Sequence, residues 1–220
     1  MPRRSIKYSA AEVDENWYQH LHELLAAPWP CPETKRLDLL MADIGERLTS
    51  HGLATGRGTY GWYSDAEITL ARAVWCTARH IRPQVVIETG VAHGVTTRII
   101  LEAMNMNDRG HLWSIDLPHP LDHRLHDQTG VAVTDECRPR WTYLEGASRQ
   151  QNTLFEMEQA ASAIRPGGIM LIDDIKSHLG FATFAKQHPE YRTIVCETED
   201  KIGMFGITVN ASPALADAQI

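Results

Sequence analysis

Apolar residues recur at helical spacing through the first eighty positions, then change to short apolar runs that alternate with further helical segments. Val13, Trp17, Leu21, Leu24 and Leu25 form the first stripe, and Ser9-Ala-Ala-Glu12 ahead of it has the form of a capping box. Pro28, Pro30 and Pro32 end that helix, because proline lacks the amide a helix interior needs. Leu37, Leu40, Met41, Ile44 and Leu48 predict a second helix, with Gly52 as its left-handed stop. The glycine-rich Gly56–Gly61 separates it from a third, which a second capping box, Ser64-Asp-Ala-Glu67, starts and which ends near His80.

From Val85 the period shortens. Val85–Glu88, His111–Asp116, Trp141–Glu145 and Gly168–Asp173 read as buried strands, and Thr96–Met104, Asn152–Ile164 and Phe181–His188 read as helices. Arg192–Glu197 and Met204–Val209 predict a closing hairpin. Strand and helix in alternation give an α/β fold, a doubly wound, Rossmann-like, mostly parallel sheet with helices on both faces. The expected organisation is a helical N-terminal extension (1–82), a core (83–210) and a C-terminal tail (211–220).

Composition narrows the class. The 220 residues carry 21 basic and 28 acidic side chains, a formal charge of −7, which disfavours a nucleic-acid surface built from clustered Lys and Arg. No apolar run reaches the roughly 20 residues a membrane helix needs, and the N-terminus does not read as a secretory signal. Cys31, Cys76, Cys137 and Cys196 lie far apart, so they read as reduced thiols of a cytoplasmic protein, not as a disulfide frame or zinc site.

Ligands of a doubly wound sheet sit beyond the carboxyl ends of its strands, which here carry Glu88, Asp116, Glu145, Asp173 and Asp174. The sharpest motif is Glu88-Thr89-Gly90-Val91-Ala92-His93-Gly94, whose small residues let backbone approach a ligand. Asp116 follows Gly94 by 22 residues and is placed to accept ribose hydroxyl protons. A dinucleotide fingerprint would need glycine where Ala92 and Val95 stand, so a nucleoside with a cationic tail fits better than a pyrophosphate.

Residues 60 to 206 resemble class I S-adenosylmethionine-dependent methyltransferases, in particular the bacterial small-molecule O-methyltransferase-like group. The stretches that carry the resemblance are Gly61–Asp65, Val86–Gly94, Leu112–Pro118, Arg140–Gly146 and Arg165–Gly168 through Ile172–Ile175. The resemblance implies O-methylation of a small-molecule acceptor with S-adenosylmethionine as cofactor. It implies that Glu88, Thr89, Gly90, Ala92 and Gly94 cradle the methionine moiety, that Asp116 holds the ribose, and that Ala147 and Ser148 border the adenine. It further implies that Asp173 and Asp174 ligate a divalent cation such as Mg2+ or face the acceptor, with His178 as general base. A homo-oligomer would suit the apolar helical extension.

One departure stands out. Only 21 residues separate Gly146 from Gly168, room for one helix but not for helix, strand and helix. The family's fourth strand, central in the order three-two-one-four-five-seven-six, is therefore expected to be missing. Direct pairing of Gly168–Asp173 with Val85–Glu88 is the favoured repair, and insertion of Trp141–Glu145 into the slot is the other. A catalytically impaired cofactor-binding protein thus remains an alternative, and a nucleotide-dependent oxidoreductase a further one. His119, His123 and His126 read as a polar loop in preference to a metal set. Trp17, Trp75, Trp113 and Trp141 read as core, and Trp62 and Tyr63 either cover the ligand or pack at a helix start.

Overall fold

The computed structural model describes residues 6–56, 58–60, 65–116, 122–146 and 153–211. The chain divides into two compact units, one of Leu25–Ser148 and one of Met1–Leu24 with Arg149–Ile220.

In the first of these units, α2 (Thr34–Ser50) buries Leu37, Ile44 and Leu48 on one stripe. Its end is closed as expected: Gly52 takes φ 72°, and the Leu53 amide donates back to Leu48 O at 2.9 Å. α3 (Ile68–Ile81) begins one residue past the expected box, and Glu67 itself is the cap, its carboxylate accepting from Thr69 N. Ser64 lies outside the described residues. β1 (Val85–Thr89), α4 (Val95–Asn107), β2 (His111–Asp116) and β3 (Trp141–Glu145) follow. The three strands are parallel in the order β1-β2-β3, with Glu88 opposite Ser114 and Asp116 opposite Glu145. One pleat face presents Val86, Glu88, Leu112 and Ser114, and Glu88, Leu112 and Ser114 are buried. The other presents Val85, Ile87, Trp113 and Ile115, which are exposed, so Trp113 is not the core residue its apolar run suggested.

Within the other unit, Ser9–Glu12 does form its reciprocal contact, the Ser9 amide donating to Glu12 Oε2 at 2.8 Å. It closes a single turn and no helix follows, because Val13 bridges Val195 in parallel and the Asp14 amide donates to Val195 O. α1 therefore starts later, at Trp17–Leu24. α5 (Thr153–Ala163), β4 (Ile169–Ile172), α6 (Gly180–Gln187), β5 (Tyr191–Glu197) and β6 (Met204–Asn210) complete the unit. β6 lies between β4 and β5, antiparallel to both, over a core that includes Met157, Ile175, Phe181, Phe184 and Met204.

The orders β3-β2-β1 and β4-β6-β5 match the expected three-two-one and five-seven-six flanks. Among the described residues no strand lies between β3 and β4. Both expected repairs are corrected. β4 is an edge strand whose ladder partner is β6, and β3 stays paired with β2. Among the described residues no helix is long and apolar enough to cross a membrane.

Candidate functional site

Strand β1 hands over to α4 through three left-handed residues, Gly90 (φ 82°), Ala92 (φ 48°) and Gly94 (φ 85°). Alternating left-handed residues fold the chain sharply enough for Gly94 to become the N-cap of α4. The two glycines serve different ends. A side chain at Gly94 would run into Gly130 Cα at 2.8 Å, so its smallness serves the chain's own packing. A side chain at Gly90 would meet nothing within 4 Å, so there the loop borders open space. Thr89 is exposed beside it.

Asp116 closes the loop, its carboxylate accepting from the Val91 amide at 3.1 Å. Glu88 is buried and accepts from Ser114 Oγ at 2.6 Å and Thr97 Oγ1 at 2.8 Å, both on Oε2. Trp141 Nε1 in turn donates to Ser114 Oγ at 2.9 Å. Glu88 Oε1 is buried with no partner among the described residues. Burial pushes the Glu88 carboxyl up to about 7 against the pull of the two hydroxyls, and the nearby Asp116 charge adds to the rise.

The sequence reading missed what surrounds this loop. His93 is fully buried, its Nδ1 3.2 Å from Asp65 Oδ1 and its ring edge-on to Tyr60. Tyr60 shares its hydroxyl with Thr129 Oγ1 at 2.5 Å. Ser114, two residues before the strand-end acid and opposite Glu88 in register, was legible from strand period alone; Asp65 was not. Beside β3, a cavity of about 270 Å3 is lined by His126, Thr129, Arg138, Trp141, Tyr143 and Glu145. Burial first, then Asp116 and Glu145, push the Tyr143 hydroxyl up to about 12.

Asp173, Asp174 and His178 belong to the other unit, in the loop from β4 to α6. Asp173 Oδ1 accepts from the Asp174 amide at 2.8 Å, and Asp174 adopts φ 54°. His178 Nδ1 is buried with no partner among the described residues. Among those residues no third histidine, cysteine or carboxylate gathers with Asp173 and Asp174 as a metal set would. His123 and His126 stack edge to face in a short 3-10 turn. Ala147, Ser148, His119, Trp62 and Tyr63 lie outside the described residues.

No protein-family model matches the chain, and no curated protein matches it in sequence. Solved structures do resemble it. The O-methyltransferase TomG from Streptomyces achromogenes, in complex with SAM, is 10% identical with a TM-score of 0.55, over 78% of this chain and 89% of that one. An O-methyltransferase from Bacillus cereus in complex with SAH is 12% identical with a TM-score of 0.52, over 90% of this chain and 98% of that one. The SAH-bound methyltransferase PaMTH1 of Podospora anserina is 11% identical with a TM-score of 0.54, over 93% and 98%. The chain has the fold these methyltransferases share.

Proposed function

We propose that this protein is an S-adenosylmethionine-dependent methyltransferase acting on an oxygen of a small-molecule acceptor. The observation that carries the reading is the Glu88–Gly94 turn, left-handed at three positions, open at Gly90 and tied to the strand-end acid by the Val91–Asp116 bond. The residues fit the cofactor. Gly90 leaves room for close approach, the strand-end carboxylate of Asp116 is of the acceptor type that ribose hydroxyls need, and the unpartnered oxygen of Glu88 suits a cationic tail. Solved structures of the same fold hold SAM or SAH, which supports the assignment.

When bound, the cofactor supplies a methyl group on a sulfonium, which an acceptor oxygen displaces in line. The chain's own contribution is positioning, since aligned reactants need little further help. Glu88, Thr89, Gly90, Ala92 and Gly94 hold the methionine end, Asp116 the ribose, and Ala147 and Ser148 the adenine. Asp173, Asp174 and His178 are assigned to deprotonating the acceptor, on chemistry alone; a divalent cation at the two aspartates would serve the same end.

Calorimetry with S-adenosylmethionine and its demethylated product, with and without magnesium, tests the reading, followed by methyl transfer to hydroxylated small molecules. Binding of both ligands, with methyl transfer lost in Asp173→Asn, is the expected result. Absence of binding to either ligand overturns it, and binding of a nicotinamide nucleotide in their place would point to an oxidoreductase.

A further inference from the structure

Forty-five residues of sequence separate Cys31 from Cys76, yet their Sγ atoms lie 3.2 Å apart. Cys31 Sγ is also 3.8 Å from His80 Nε2, and the ligand atoms of the group all fall within 4.8 Å of one another. Two features of the chain produce this convergence. Cys76 and His80 stand four apart on α3, hence on one face a single turn apart. Cys31 arrives from the Pro28–Pro32 segment, which the chain cannot fold into helix. Both cysteines are buried and His80 is half-buried.

We propose that Cys31, Cys76 and His80 form a binding site for a borderline-soft divalent metal ion, zinc foremost. Thiolate and imidazole are the donors that such an ion prefers, and hard cations such as magnesium avoid them. Zinc bonds of about 2.3 Å to sulfur and about 2.0 Å to nitrogen at tetrahedral angles put donor atoms roughly 3.5–3.8 Å apart. The present separations of 3.2 and 3.8 Å need only small side-chain shifts to reach that. On binding, two thiols release their protons to solvent and ligate as thiolates. The imidazole ligates through Nε2 with its remaining proton on Nδ1. Two thiolates balance the dication, so the buried site is neutral.

The site's place in the fold assigns it a structural role. α3 ends at Ile81 and β1 begins at Val85, so His80 lies at the amino end of the strand. The Glu88–Gly94 loop lies at its carboxyl end. The ion would clip the proline-rich segment onto α3, where a polar clamp already holds the same junction. Arg79 Nε lies 3.2 Å from Glu33 and its guanidinium also bonds Asn107, whose Nδ2 donates to Ala78 O at 2.9 Å.

The test is metal analysis of the full chain purified under reducing conditions without chelator, then reconstituted with zinc or cobalt. About one ion per chain is expected, and the cobalt form should show thiolate-to-metal charge-transfer bands with the strong visible bands of tetrahedral coordination. Cys31→Ser and Cys76→Ser should remove stoichiometric binding, while His80→Gln should keep a charge-transfer band and bind about tenfold or more weakly. Chelation should lower the melting temperature. Should the serine variants not fold, the cobalt spectrum of the unaltered chain still decides the matter. A chain that takes up no zinc or cobalt overturns the proposal. So does metal content unchanged in folded Cys31→Ser, or a peptide pair joined by a Cys31–Cys76 disulfide in place of metal uptake.

Discussion

The two sheets use similar apolar runs to opposite effect. β6 sits between two partners and buries six of its seven residues, Met204 through Val209. β1 sits at the edge of its sheet, with Val85 61% and Ile87 66% exposed. Parallel strands usually are buried on both faces, and the Val-Val-Ile run of β1 is written for that. The difference follows from what lies beside each strand. The antiparallel sheet closes its own ladder on both sides of β6, so its apolar residues find partners inside the unit. The parallel sheet has one covered face, and on that face it places polar groups, Glu88 and Ser114, beside the buried Leu112. The antiparallel unit is built for cohesion; the parallel one carries Glu88 and Asp116, the acids assigned to the cofactor.

If that contrast holds, substitutions should read out differently in the two sheets. The largest effect belongs to β6: Ile207→Ala removes a fully buried side chain and should cost about 2–5 kcal/mol of stability in denaturant unfolding, with cofactor binding retained. A smaller loss would mean that this core is loosely packed.

Next comes Glu88, whose carboxyl rises from 4.5 to about 7 by burial. The native state keeps a proton that the unfolded chain gives up, so stability falls as pH rises from about 4.5 to about 7 and levels off above. The full drop is about 3 kcal/mol at most, and Glu88→Gln should remove it. A slope that persists in Glu88→Gln would assign it to another group.

Asp116→Ala should weaken S-adenosylmethionine binding by about 1–3 kcal/mol, the scale of lost hydrogen bonds to a charged group, as read by calorimetry. Unchanged affinity would remove Asp116 from the site. Smallest of all, Ile87→Ala should alter stability by no more than about 0.5 kcal/mol, as exposed substitutions do. A cost of several kcal/mol would break the comparison, because it would show the outer face of β1 to be covered in solution.

Much of this was legible beforehand, for local reasons. The stripe Leu37–Ile44–Leu48 and the stop at Gly52 needed only helix geometry and the freedom of glycine at positive φ. The strands needed only their apolar runs, and the motif Glu88–Gly94 with Asp116 needed only a strand end on each side of a helix. The capping boxes were less informative. Ser9–Glu12 made its contact without starting a helix, because pairing of Val13 with Val195 held the backbone extended. Trp113 was misplaced because an apolar run does not reveal which of its two faces will be covered.

By itself, then, the sequence determined the elements, the shortened span between Gly146 and Gly168, and the acids at the strand ends, since each depends on neighbours a few residues away. Tertiary structure alone decided the rest. It put β4 beside β6, drew Asp65 against His93, gave Gly94 to Gly130 and Gly90 to open space, and closed Cys31 onto Cys76. The contacts of β4 with β6, Asp65 with His93, Gly94 with Gly130 and Cys31 with Cys76 join residues 28 to 45 apart, and no periodicity along the chain encodes which distant partner a buried polar group or strand edge will find.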